Sequence, residues 1–461
     1  MAWGGGGGGA WGARGGTGVD DWVQRLEAND ASLTSLTVLR FRKFGHEQVT
    51  ALCAALRSNT SLKELYASGH AMTAETAAVV AGMLRENTSL ASLCVGSADF
   101  GDDGVAALAA GLSRNATLKR LDLENKGVGP AGAAALAESP GGLQELLLAR
   151  NPRLGDDGVA ALAASAALVR GLRLLDLRAC GVGARGMAAL GSALAASGAP
   201  GRRVLLAANA LESPDDARSA CTALGAALSA RSIAHLDLTS CLTSDGVPAL
   251  VGALSGEVEL SLGLSKCGVT EDGCRALGEA VRRGVRFAQL DLSNNAIWPS
   301  GVACLARALA SSPGVAELDL AGCRGGDDGT DCAEAVAALA AIPQLRRLSL
   351  FDNALGCGGA QALAASVAGG GFRDLTTLVV AGNGLSLDDI RGLLRVLCAD
   401  GAAPTLRSIE VAANPGASDE GIEAVVADVQ ASRPGLDVAW RATGSADPGS
   451  PAPAAPGDGS G

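Results

Sequence analysis

A pair of apolar residues two positions apart returns fourteen times along this chain, and no other feature limits its fold so tightly. The first member of each pair is Leu36, Leu65, Leu93, Leu121, Leu146, Leu175, Val204, Leu236, Leu262, Leu290, Leu318, Leu348, Leu378 or Ile409. The intervals run from 25 to 32 residues and average close to 29. The stretch Gln289 to Ala310 shows the unit best. Leu290 and Leu292 alternate as in a strand, and Val302, Leu305 and Leu309 then recur with the spacing of an amphipathic helix. Pro299 between them suits a first helical turn. One such strand–turn–helix unit cannot bury its own apolar face, so the units must stack.

Five residues after each first apolar position, units 5 to 14 carry Asn151, Cys180, Asn209, Cys241, Cys267, Asn295, Cys323, Asn353, Asn383 and Asn414. Units 2 to 4 have His70, Ala98 and Lys126 there instead. A buried Asn at a repeated turn can bond backbone groups of two units at once, and leaving one such group unpaired costs about 1–3 kcal/mol. Cys packs as a small apolar residue and bonds more weakly.

The pattern LxxLxLxx(N/C)xL resembles the leucine-rich repeat, and the period with mixed Asn and Cys resembles its ribonuclease-inhibitor-like subclass. The resemblance implies an α/β solenoid of about 14 repeats. It would be a curved horseshoe with a parallel sheet on the concave face and helices on the convex face. The expected organisation is a disordered Gly-rich segment at 1–18 and a solenoid at 19–441. A disordered Pro/Gly/Ala tail would follow at 442–461. Val19, Trp22, Val23 and Leu26 fall on one helical face, as expected of a capping helix over the first unit. Leu436, Val438 and Trp440 alternate and fit a last edge strand.

Charge and motifs exclude several functions. The formal charge is −11, which argues against a nucleic-acid surface and fits a basic protein partner. Apolar runs stay short of a membrane span, and the N-terminus lacks the apolar core of a signal peptide. The default location is cytoplasmic, with nuclear as the alternative, and the expected state is a monomer. Twelve Cys without a CxxC pair read as reduced thiols, and the three His (His46, His70, His235) are scattered. No catalytic residue, cofactor or metal is expected.

Two stretches, Gly127–Gly132 and Gly181–Gly186, fit GxGxxG after a strand and before a helix. They share the phase of the repeat's strand-to-helix turn, so they read as turn glycines and not as a dinucleotide site. The Asp pairs 102–103, 156–157, 327–328 and 388–389 read as helix caps and charges at positive helix ends. Asn59, Asn87 and Asn115 lie in N-x-S/T sequences at one shared phase, where helices turn into strands.

Strand positions between the two buried apolar residues, and just after them, face the concave side. The partner-binding candidates are therefore Tyr66, Asp122, Glu124, Arg150, Asp176, Arg178, Asp237, Asp291, Asp319, Phe351 and Asp352, with Trp298 on the rim. Asp122, Asp176, Asp237, Asp291 and Asp319 share one strand position and suggest an acidic track, although LDL is also the common repeat consensus. The expected function is a protein-interaction scaffold, not an enzyme. The resemblance leaves two alternatives: an activator of Ran-type GTPases, or a sensor module as in innate immune receptors. The tail holds only Asp447 and Asp458, against the long acidic tail typical of such activators.

Overall fold

A computed structural model describes residues 18–209, 211, 213–254, 256–312, 314–324 and 332–441. The Gly-rich and Pro-rich ends and Asp327–Asp328 fall outside the described residues. Among the described residues fifteen short strands form one sheet, each hydrogen-bonded to the next in chain order and all parallel. They are β1 (Ser35–Thr37), β2 (Glu64–Ser68), β3 (Ser92–Gly96), β4 (Arg120–Asp122), β5 (Glu145–Leu147), β6 (Leu174–Asp176), β7 (Arg202–Leu205) and β8 (Ile233–Asp237). The second half holds β9 (Glu259–Gly263), β10 (Arg286–Asp291), β11 (Glu317–Asp319), β12 (Arg347–Ser349), β13 (Thr377–Val379), β14 (Ser408–Glu410) and β15 (Asp437–Ala439). Helices alternate with the strands and each packs on the next, as parallel strands joined by crossovers require.

The register follows the apolar repeat. Leu36 pairs with Leu65, so the first unit shares the phase of the later ones, and Ile409 pairs with Val438 of the last strand. One apolar core runs through the stack from Val19 to Val438. The helix Gly18–Glu27 closes its start with Val19, Trp22 and Leu26 buried. Glycine sets the approach of two helices where Gly191 meets the next one. A Cβ on Gly191 would stand 2.6 Å from the Ala223 backbone, so only glycine allows that approach.

The ladder residues are buried and act as their chemistry dictates. Asn295 donates through Nδ2 to the Leu264 and Leu292 carbonyls and accepts from the amides of Cys267 and Val269. Asn151, Asn209, Asn383 and Asn414 repeat this four-way link. Cys180, Cys241, Cys267 and Cys323 keep the link from Sγ to the preceding unit's carbonyl, at 2.9–3.1 Å, with a longer bond to the carbonyl two residues back at 3.4–3.8 Å. Next to Cys units the preceding loop uses a backbone carbonyl instead: Leu211 donates to Cys241, and Ile297 and Trp298 to Cys323.

Two details differ from the expectation. Pro299 stands at the N-cap and not inside the first turn, since the helix begins at Ser300 and the Trp298–Pro299 peptide is cis. The early units are not simply degenerate. Asn59, Asn87 and Asn115 are buried at the ends of helices and form a second ladder on the opposite rim. Their Nδ2 groups donate to the carbonyls of Leu26, Leu56 and Leu84 in the preceding unit. Their Oδ1 atoms accept from the amides of Leu62, Leu90 and Leu118.

Candidate functional site

The residues on the concave side derive their positions from the strand alternation. In the row just after the first apolar position the order is Asp122, Leu147, Asp176, Leu205, Asp237, Gly263, Asp291, Asp319 and Ser349. The acidic positions are thus separated by Leu147, Leu205 and Gly263, and only Asp291 and Asp319 are direct neighbours. The structure brings the predicted residues onto one face but not into one continuous acidic track.

Each of the five Asp has a local partner. One carboxylate oxygen accepts the backbone amide two residues on, in Glu124, Arg178, Thr239, Ser293 and Ala321, at 2.9–3.1 Å. This is the Asx turn, which ends the strand and leads the chain toward the ladder residue. The LDL consensus therefore has an architectural use in this chain, and charge is not needed for it. Burial raises the Asp291 carboxyl above the ordinary aspartate range, against the lowering effect of its Ser293 bonds; Asp319 and Asp237 add to the rise.

Asp176 corrects the expectation of an exposed residue. It is 1% exposed, because Leu147 and Leu205 flank it in the row. Its charge is met by Arg178, which reaches back two residues with Nε at 2.9 Å and Nη2 at 2.6 Å. That bond holds the Arg178 guanidinium above its usual range. The half-exposed Arg178 is thus fixed by a buried carboxylate. Around it, Arg150 is exposed and stands 3.6 Å from Glu124, and Asn125 is exposed at a left-handed backbone position.

Other candidates lie farther along. Tyr66 is half-buried near the start of the sheet. Phe351 is 41% exposed, and the half-buried Asp352 stands 3.6 Å from Arg324. Asn294 is exposed and Glu410 half-buried. Trp298 is half-buried, packs against the core and bridges Arg324 of the next loop. It belongs to loop packing as well as to the rim.

The motifs with chemical overtones have structural partners. Asp102 Oδ1 accepts the amides of Gly129 and Gly132 at 2.6 and 2.9 Å. Asp156 does the same for Gly183 and Gly186 at 2.7 and 2.9 Å. The carboxylate of one unit thus caps the helix of the next and occupies the amide cradle that a phosphate would need in a GxGxxG loop. A Cβ on Gly132 or Gly186 would stand 2.7 Å from that carboxylate, which explains the glycines. Asp389 caps its own helix with Ser386.

Sequence reasoning missed three features. Leu147 and Leu205 point to the concave side although they look like core. Lys126 is buried, with Nζ 2.6 Å from Ser68 Oγ, at a position where other units hold Asn or Cys. Phe41 is 78% exposed; its adjacency to Arg40, Arg42 and Lys43 was the available signal. Two clefts of about 550 and 370 Å³ open on the rim where helices turn into strands, around Ala341–Arg373 and Thr405–Arg433. Among the described residues no group of three His, Cys, Asp or Glu is placed to hold a metal. No described helix is long and apolar enough to cross a membrane.

Comparison with known proteins agrees with this architecture. The family model described as the TMOD/LMOD leucine-rich domain matches residues 16–138. A NACHT, LRR and PYD domains-containing protein 4C of Mus musculus is 37% identical over 82 residues, 17% of this chain and 8% of that protein. The ribonuclease inhibitor of Sus scrofa is 33% identical over 101 residues, 22% of each. The chain thus spans 8% to 22% of the length of these curated relatives. Among solved structures, the Rad7 and Elc1 complex of yeast aligns over 85% of this chain and 92% of that chain, at 14% identity and a TM-score of 0.44. Leiomodin-1 actin-binding site 2 aligns over 26% of this chain and 73% of that chain, at 23% identity and a TM-score of 0.23.

Proposed function

Because the chain is a leucine-rich repeat protein of the ribonuclease-inhibitor-like kind, we propose that it is a non-enzymatic scaffold whose concave face binds a partner protein. The observation that carries this reading is the fixed Arg178. Asp176 clamps it, Leu147 and Leu205 lie on either side of that Asp176 in the sheet, and Glu124 and Arg150 stand in the two preceding units. Arginine is common among hot spots, and a side chain already ordered loses little freedom on binding. Asp237, Asp291 and Asp319 extend the surface and favour basic groups on the same partner. Tyr66, Asp122, Phe351, Asp352 and Trp298 complete it.

Affinity capture with the full chain tests the reading. The Asp residues are changed to Asn, which keeps the acceptor for the turn amide and removes only charge. Arg178→Ala removes the anchor. Loss of the same captured protein in Arg178→Ala and its weakening in the triple Asp→Asn variant support the proposal. Unchanged capture by both variants sinks it.

A further inference from the structure

We propose a second docking site at the start of the solenoid, where an extended acidic segment of a partner protein adds as a strand to the free edge of β1. Two independent observations meet there. Among the described residues β1 pairs only with β2, so one edge of the sheet is open, and Ser35 and Thr37 are exposed. An open edge offers unpaired amides and carbonyls to an incoming strand. Immediately after β1 the chain reads Arg40, Phe41, Arg42, Lys43, with no acidic residue between Asp30 and Glu47 in a chain of net charge −11.

Phe41 is the most exposed large apolar side chain among the described residues. It stands at the ladder position, where His70 of the next unit turns inward to the Val38 carbonyl. The first unit has no preceding carbonyl to meet, so the position is released for another use. Phe44 fills the core in its place, edge-on to His70 at 5.2 Å. Arg42 lies over Trp22 of the capping helix, 5.5 Å from the ring. Arg40 and Lys43 are exposed and form no ion pair among the described residues.

One aromatic anchor with two available cations matches the scale of a peptide hot spot. A lipid surface needs a larger basic cluster, of about 4–8 residues. The site uses the free edge of β1 and the turn after it, not Arg178 and its surroundings, and does not depend on the reading given for them.

The test uses the full-length protein and a fluorescein-labelled peptide of alternating Val and Glu, with a Val/Lys peptide as control. Fluorescence anisotropy should show binding of the acidic peptide only. Affinity should fall at least ten-fold in Phe41→Ala and in Arg40→Glu with Lys43→Glu. Thr37→Pro should abolish binding while circular dichroism stays unchanged, since its amide faces the free edge. Equal binding of both peptides, or changes within two-fold in all variants, overturns the proposal. So does co-sedimentation with phosphatidylserine vesicles, or self-association removed by Thr37→Pro, when the acidic peptide does not bind.

Discussion

The first four units and the last ten place their repeated Asn residues on opposite rims of the same sheet. In the early units the polar spine lies before the strand, where Asn59, Asn87 and Asn115 tie each helix end to the one before. In the later units it lies after the strand, from Asn151 to Asn414. The fourth unit is held by both, since Asn115 precedes its strand and Asn151 reaches back to its Leu123, Lys126 and Val128. The comparison teaches that a stacked unit needs a buried hydrogen-bonding side chain to join loop backbones, and that either end of the strand can hold it. Where the second rim lacks Asn, it accepts His70, Ala98 or Lys126.

The largest expected effect comes from cutting the later spine. Asn295→Ala orphans the Cys267 and Val269 amides and the Leu264 carbonyl, while Cys323 Sγ still meets the Leu292 carbonyl, and should cost about 3 kcal/mol in urea unfolding. Asn87→Ala should cost about 2 kcal/mol, because its Ser89 neighbour still bonds the Asn59 carbonyl. Hydrogen exchange sharpens the contrast: amides before residue 150 should lose protection in Asn87→Ala, and amides near 240–325 in Asn295→Ala. Global loss in both variants would erase the distinction between the two regions.

Removing an inter-unit cap is smaller. Asp156→Ala should cost about 1 kcal/mol in the same assay and weaken protection at Gly183 and Gly186 first. The thiols give a kinetic check. Burial pushes Cys180, Cys241 and Cys323 up to about 12, so they should resist a thiol reagent at pH 8 until unfolding. Exposed Cys357 should react first, although its bond to Asp389 raises it too.

The smallest expected effect is electrostatic. The Asp291 carboxyl is raised in the folded protein, so the native state holds that proton more tightly than the unfolded chain. Its contribution is fully present below the ordinary aspartate value and is lost as pH rises through the higher folded value. Asp291→Asn should therefore raise Tm relative to the parent at pH 7 and change it little at pH 3.5. An equal shift at both pH values would show that the carboxyl is not perturbed.

Much of the fold was legible because its signals are local and periodic. The spacing of Leu290, Leu292 and Asn295 located strand and turn, and the apolar pair alone located all fourteen repeats. The candidate site was legible only as a face. Alternation places Asp176 on the concave side, but it cannot tell that Leu147 and Leu205 close over it. Nor does it show that the acid serves the turn and Arg178. The GDDG and GxGxxG stretches looked like separate features because their partnership crosses 27 to 30 residues.

What the sequence determined by itself is the repeat: strand period, helix period and the need to stack, all set by side chains within one unit. What only tertiary structure decided is the use of each polar residue. Asn87 could have been a solvated turn, Asp102 a cap for its own helix, and Phe41 part of the core. Their roles depend on which backbone groups of the neighbouring unit lie within about 3 Å, because a hydrogen bond is a property of distance and direction and not of residue type alone.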